Sequence, residues 1–337
     1  MKVLLIGGTG NISMSITKRL LERGDEVYLF NRGNNRECEA LGAHYIIGDA
    51  FDSADLKAKV GDQKFDVVAN FILFTPEQAQ MNYEVFAGRT GQYFFISSCT
   101  VYQKPILKLP ITPDTPLRNP YSLYARNKIA CEDYFTKQYR DNNFPITIVR
   151  PSHTYGETKL VVGPLMGWAV PHWTLADRIL KGEPIIVHDL GRTFWTATHS
   201  DDFAYAFCGL VGNHEAIGHA FHITNDDPHT WNEIMGMYGQ ILGVEPKIVH
   251  VPTTFIGKLY PEKYDAILGD MSENAIFDIR KLQKFVPGYR TRIPLREGLT
   301  RSVNWYRNHP EAHRIDDENN RMTDHIIKAW QDVLRKD

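Results

Sequence analysis

The sequence has no excess of either charge. Its 337 residues carry 38 Lys and Arg against 40 Asp and Glu, a formal net charge of −2. A chain this close to neutral builds no field to gather nucleic acid or an anionic membrane, so neither is expected as a partner. Cysteine is scarce: Cys38, Cys99, Cys131 and Cys208 lie far apart with no C-x-x-C pair. That argues against a disulfide scaffold or a zinc ribbon and suits a reduced, cytoplasmic protein. Long apolar runs are missing as well. The first, residues 3–6, is too short for a secretory h-region, and nothing approaches the roughly 20 apolar residues of a membrane span. His172, His188, His199, His219 and His222 show no H-E-x-x-H or similar spacing, so no catalytic metal is expected. There is no internal repeat and no low-complexity tract. What is present, 43% hydrophobic and 23% charged residues, is ordinary for a soluble globular protein. The length allows a large core with a smaller lobe.

The first half alternates short apolar runs with helical patterns. "KVLLI" (2–6), "EVYLF" (26–30), "HYIIG" (44–48), "DVVANFI" (66–72), "QYFFIS" (92–97) and "ITIVR" (146–150) read as strands. "SMSITKRLLERG" and "YARNKIACEDYFTKQY" (124–139) read as helices. Near-continuous apolar strands separated by helices predict a parallel sheet covered on both faces, the doubly wound α/β fold of Rossmann type. The rhythm loosens after Pro151. Helices over 201–212 and 230–243 and strand-like runs over 219–224 and 247–252 predict a smaller substrate lobe that returns to the main sheet. The expected organisation is a dinucleotide-binding domain over 1–155, with return segments near 196–225, a lobe over 156–310 and a helical extension over 311–337. "RMTDHIIKAWQDVLRKD" should be an amphipathic helix behind a polar hinge, "RIDDENN". It either docks on its own chain or contacts a second copy.

"LLIGGTGNIS" sets Gly7, Gly8 and Gly10 after a strand and before a helix. Glycines there allow a tight turn and close approach of a phosphate, which the helix N-terminus then meets with free N–H groups. Ser13 takes the place of the third glycine and is small enough to keep the helix packed. The second strand ends in "FNRG", with no carboxylate to bind an adenosine ribose. Asn31 and Arg32 lean the expected cofactor from NAD toward NADP, because a guanidinium pairs with a 2′-phosphate. Arg32 is otherwise a solvated loop charge. Asp49 in "IGDAFD" either accepts from an adenine amine or caps the helix near Ser53.

"NPYSLYARNKIACE" places Tyr124 one helical turn before Lys128. Phenols ordinarily titrate near 10. An adjacent ammonium and a cationic nicotinamide should lower that value, letting the tyrosine accept a proton from an alcohol. Ser98 in "FISSCTVY" is positioned to bond the same substrate oxygen. Tyr121 is not a candidate, because the residue four further on is Ala125.

The run of "GGTGNIS", "GDAFD", "ISSCTVY", Tyr124-x-x-x-Lys128, "IVRPSHTYG" and "THSDDFAYAF" resembles the extended short-chain dehydrogenase/reductase family of NAD-dependent epimerases and dehydratases. The resemblance runs from Met1 to about Arg307. It implies Tyr124 as catalytic acid/base, Lys128 as its partner and Ser98 as third member. It implies a dinucleotide along Gly7, Thr9, Gly10, Asn11, Ile12, Asn31, Arg32, Asp49, Ala50, Tyr124, Lys128, Pro151 and His153. It implies a substrate against Cys99, Thr100, His153 and Trp195, and it allows a homodimer through helices around 76–89 and 121–140.

The departures from the family pattern bear on the substrate. Dehydratases of the family have an acidic pair where this chain has Cys99 and Thr100, so dehydration is disfavoured. The arginines that usually clamp a sugar-nucleotide diphosphate are replaced by Trp195 and Ile267, with Arg192 three residues from the first. A diphosphate without cationic partners is costly to bury. The expected substrate is therefore a carbohydrate-like molecule that is not a nucleotide sugar, with Trp195 and Trp173 as stacking faces or as core. His153 either bonds substrate, exchanges a proton or is structural. The alternatives are a nucleotide-sugar 4-epimerase and a dinucleotide- or RNA-binding regulatory member, like the plastid RNA-binding group that "VGNHEA" resembles.

Overall fold

The computed structural model describes residues 1–161, 163–165 and 172–335. Six strands come from the first half: β1 (Lys2–Ile6), β2 (Glu26–Asn31), β3 (His44–Ile47), β4 (Phe65–Asn70), β5 (Thr90–Ile96) and β6 (Ile146–Pro151). The strand Ala220–Ile223 joins them from the second half, and all pair in parallel in the order β3-β2-β1-β4-β5-β6-(Ala220–Ile223). The order reverses between β1 and β4. In doubly wound sheets a crevice opens there, at the carboxyl ends of the strands.

Helices α1 (Asn11–Glu22), α2 (Ser53–Val60), α3 (Pro76–Phe86) and α4 (Leu123–Asn142) connect the strands. The apolar strands are explained by burial on both faces. Val3 and Leu5 pack with Ile16 and Leu20 of α1 and with Phe203 and Phe207 of the helix Ser200–Leu210. Leu4 and Ile6 face the other way, into Phe86 of α3 and Cys131 and Phe135 of α4. Each side chain of that size contributes about 1.5–3 kcal/mol by leaving water.

Small two-stranded sheets build the rest: His153–Tyr155 with Ala197–His199, Phe194–Trp195 with His229–Thr230, and Ile185–His188 with Ile248–Val251. The C-terminal helix runs Asp317–Leu334. Asp316 caps it by accepting from the Asn319 N–H at 2.9 Å, so "DENN" forms its first turns and the expected hinge is shorter. Met322, Ile326 and Ile327 dock on Ile186, Val251, Ile256 and Ile267 of the same chain. Lys336 and Asp337 lie outside the described residues. Among the described residues no helix is long and apolar enough to cross a membrane.

Candidate active site

The turn after β1 has the geometry that its glycines suggest. Gly7 sits at φ +81°, and a Cβ there would meet Ile72 Cγ2 at 2.9 Å. A Cβ on Gly8 would strike Leu29 at 2.5 Å, whereas one on Gly10 would meet only Ser13 Oγ at 3.5 Å. The loop is thus sealed on its protein side and open at Gly10, where α1 begins. Ser13 does more than stay small: its Oγ donates to the Gly7 carbonyl at 2.7 Å and accepts from the Gly10 N–H at 2.9 Å, stapling the turn. The first turn of α1 carries no acidic residue, so its positive dipole end stays available to an anion. Thr9 and Asn11 are half-buried beside it, and Ile12 packs on the core.

The amide nitrogens of Asn11 and Asn31 are buried without a hydrogen-bond partner among the described residues. Buried donors rarely stay unpaired, and two of them beside an open glycine cradle fit a dinucleotide cofactor. Asn31 also fixes its own turn, its Oδ1 accepting from the Gly33 N–H at 2.8 Å. Arg32 is exposed and makes no ion pair among the described residues, whereas Arg36 is engaged by Glu39 and lies over Tyr45. Ala50 is buried. Asp49 does not cap α2. Its Oδ1 accepts from the Phe51 N–H at 2.9 Å, and Asp52, directly before the helix, accepts from the Ala54 and Asp55 N–H groups at 2.8 and 3.2 Å.

Ser98, Tyr124 and Lys128 converge at the ends of β5 and α4. Ser122 caps α4 and accepts from the Ala125 N–H at 3.2 Å, which fixes where Tyr124 leaves the helix. The Ser98 Oγ accepts from the Thr100 N–H and hydroxyl at 3.2 and 3.0 Å, and Ser98 lies near enough to Tyr124 to draw the titration of its phenol downward. Tyr124 is 42% exposed overall, yet its hydroxyl is tucked beside Ser98. The Lys128 ammonium by itself does not hold the phenol below its ordinary value. Burial pushes Tyr124 up to about 12, the Ser98 hydrogen bond opposes this, and the Asp270 carboxyl adds to it.

Lys128 explains why. It is 2% exposed and spends its charge elsewhere: Nζ donates to the Leu73 and Ile96 carbonyls at 2.5 and 2.7 Å. It also lies over the rings of Phe74, Phe95 and Tyr124 at 4.9, 5.0 and 5.6 Å. Burial lowers its pKa to about 7, outweighing the smaller upward pull of Cys131 and Glu132. The loop after β4 was missed from the sequence. The strand expected over 66–72 ends at Asn70, and the loop that follows supplies Ile72 under Gly7, the Leu73 carbonyl, and Phe74 beside Tyr124 at 6.5 Å.

The expected substrate residues fare unevenly. Cys99 turns away from the cleft: its thiol is buried and donates to the Arg150 carbonyl at 3.2 Å. Trp195 is 3% exposed and packs on Trp231 and His153, and Trp173 is stacked on His313 and Tyr306, so neither offers an open face. Pro151 ends β6, fully paired, in register with Ile223. His153 follows it half-buried, and burial lowers its pKa to about 3, so it stays neutral rather than acting as a cation. Ile267 is fully buried. Arg192 is exposed. Among the described residues no group of three or more His, Cys, Asp or Glu side chains gathers at metal-holding geometry.

Asn119, two residues into "RNPYS", was also missed. It is an Asx turn, with Oδ1 accepting from the Tyr121 and Ser122 N–H groups at 3.2 Å. Its amide donates to the Thr100 and Gly269 carbonyls, both at 2.7 Å, and ties the tyrosine segment to a distant part of the chain.

Comparison with known proteins places the fold and the family. The Arabidopsis thaliana protein "Chloroplast stem-loop binding protein of 41 kDa b, chloroplastic" is 27% identical over 321 residues, covering 90% of this chain and 78% of that protein. Among solved structures, the dTDP-glucose 4,6-dehydratase of Bacillus anthracis in complex with NAD matches with a TM-score of 0.75 at 16% identity, covering 92% of this chain and 98% of that one. The UDP-glucuronic acid 4-epimerase of Bacillus cereus, in complex with UDP-glucuronic acid and NAD, matches with a TM-score of 0.73 at 18% identity, covering 91% and 99%. The model of the NAD dependent epimerase/dehydratase family matches residues 3–224, and the chain belongs to that family.

Proposed function

We propose that the protein oxidises, or oxidises and re-reduces, a secondary hydroxyl of a sugar-like substrate that is not a nucleotide sugar, using NAD or NADP. One observation carries the reading: the Tyr124 ring stands 5.6 Å from the buried Lys128 ammonium, with Ser98 nearby, at the strand ends that also hold the glycine turn. A regulatory dinucleotide sensor has no need of that set.

When bound, the nicotinamide supplies hydride transfer. Gly7, Thr9, Gly10 and Asn11 would hold its pyrophosphate, and Asn31 with Arg32 the adenosine side, where the free guanidinium favours a 2′-phosphate. Ser98 donates to the substrate oxygen and orients it. Tyr124 takes the hydroxyl proton as the carbon loses hydride, and returns it if the ketone is reduced again. Lys128, neutral in part at pH 7 and locked to two carbonyls, keeps the phenol in place and its ammonium form stabilises phenolate as the proton arrives. A phenol at about 12 is a weak base, and positive charge beside it would lower that value.

Dehydration is not supported, because the Cys99 thiol is turned toward Arg150 and the Thr100 hydroxyl bonds Ser98. A diphosphate clamp is not supported either, because Ile267 and Trp195 are both core residues. The test is conversion of free aldohexoses and methyl glycosides with NAD or NADP, followed by sugar NMR and absorbance at 340 nm. Net reduction marks a dehydrogenase and conversion without it an epimerase. Micromolar binding of UDP-glucose would overturn the substrate reading. The plastid relative's name motivates a second reading, stem-loop RNA binding, and a salt-dependent RNA gel shift by this near-neutral chain would favour it. A homodimer through α3 and α4 belongs to the proposal and is read from light scattering.

A further inference from the structure

Two charged side chains near Tyr124 have no counterpart in the mechanism above. Lys104 is 7% exposed and makes no side-chain hydrogen bond and no ion pair within 4 Å among the described residues. Asp270 is half-buried and likewise has no hydrogen bond or ion pair among them. It sits in a π-helical turn, Ile267–Met271, a rare backbone form that recurs at functional sites. The fold holds that turn firmly against the tyrosine segment. Asn119 bonds the Gly269 and Thr100 carbonyls together, and Gly269 packs so closely on Ser122 that a Cβ would come within 3.1 Å of its Cβ. The Ile106 N–H, two residues beyond Lys104, is bonded by Glu273, three residues beyond Asp270. The two segments are therefore laced together on both sides of the charged pair. Asp270 lies within electrostatic reach of Lys104, Cys99 and Tyr124, and Lys104 within reach of Asp270, Glu273 and Cys99.

We infer that Lys104 and Asp270 are specificity-determining residues that bind neighbouring hydroxyls of the substrate beside the carbon on which Tyr124 acts. The inference rests on the proposed function and narrows its substrate. An ammonium presents donors and a carboxylate presents acceptors. Opposite charges a short way apart leave a site with no net charge, matched by a donor-and-acceptor pair such as a vicinal diol. A phosphate or carboxylate placed between them would gain from Lys104 and lose to Asp270. Burial raises Asp270 to about 6, so it remains an acceptor at pH 8. Buried charges without partners are costly, and substrate hydroxyls would offset that cost.

The test compares wild type with Asp270→Asn, Lys104→Met, Lys104→Arg and the Asp270→Asn/Lys104→Met double variant. The probes are D-glucose, D-galactose, methyl β-D-glucopyranoside, D-glucuronate and UDP-glucose, with NAD affinity by fluorescence as the control for folding. The expected result is neutral-sugar conversion by wild type, a KM raised tenfold or more in each single variant with a smaller change in kcat, and partial recovery in Lys104→Arg. The double variant should be little worse than either single one, and glucuronate should gain on glucose in Asp270→Asn. Wild-type KM in both single variants overturns the role of the pair and leaves the function standing. Wild-type preference for glucuronate or UDP-glucose overturns the selection for an uncharged diol. No conversion of any probe by wild type overturns the proposed function and the pair together.

Discussion

Replacing Lys128 with Met tests how the protein houses a buried charge. Folding takes this lysine from an ordinary pKa of 10.5 to about 7. At pH 7 the folded lysine is half protonated, while the unfolded one keeps its proton until about 10.4. Above pH 7 the unfolded chain thus binds more protons than the folded one, and stability rises with pH through this window. The difference grows from about half a proton at pH 7 to nearly one at pH 9. At about 1.4 kcal/mol per proton and pH step, the wild type gains about 2 kcal/mol over that range from this residue alone. The thioether introduced by Lys128→Met cannot titrate. The substitution strands the Leu73 and Ile96 carbonyls, at about 1–3 kcal/mol each, but that loss does not depend on pH. Urea unfolding of both proteins at pH 7, 8 and 9 isolates the effect. The wild-type-minus-variant stability should shift by about 2 kcal/mol in favour of the wild type as pH rises. A difference that stays constant, or moves the other way, refutes the claim that burial dominates the state of Lys128.

Gly7→Ala forces an L-residue to φ +81° with its Cβ 2.9 Å from Ile72; it should cost about 1–3 kcal/mol in urea unfolding and weaken dinucleotide binding in a fluorescence titration. Ile326→Ala removes a fully buried side chain that docks the C-terminal helix, for an expected loss of about 2–5 kcal/mol by thermal or urea unfolding. Arg32→Ala should weaken NADP about tenfold, roughly 1.4 kcal/mol, and leave NAD nearly unchanged in parallel titrations; equal losses for both would remove Arg32 from cofactor selection.

The sheet was legible because each of its first six strands is an apolar run bounded by turn residues, and in the central strands burial on both faces leaves no alternation to misread. The glycine turn and the Tyr124–Lys128 spacing were legible because each depends on local geometry alone. Long-range electrostatics were not. The sequence shows that Lys128 is one turn from Tyr124, but it does not show that the loop after β4 brings the Leu73 carbonyl onto the ammonium and takes its charge. Burial decided the rest. Trp173, Trp195 and Cys99 have the right chemistry for a cleft, yet they fill core positions, and side-chain direction depends on packing that no motif states. Asp52 and Asp49 are both plausible caps by type, and only the backbone at the helix start separates them. Lys104 and Asp270 share no motif, and only the bonds of Asn119 to the Thr100 and Gly269 carbonyls bring their segments together, so nothing local points to either.

Tyr124→Phe keeps the ring and removes only the hydroxyl. On the proposed mechanism, sugar conversion measured by NMR should fall about 10²–10⁴-fold while dinucleotide affinity stays within about twofold of wild type. Conversion at the wild-type rate would contradict the assignment of that phenol as the group that takes the proton.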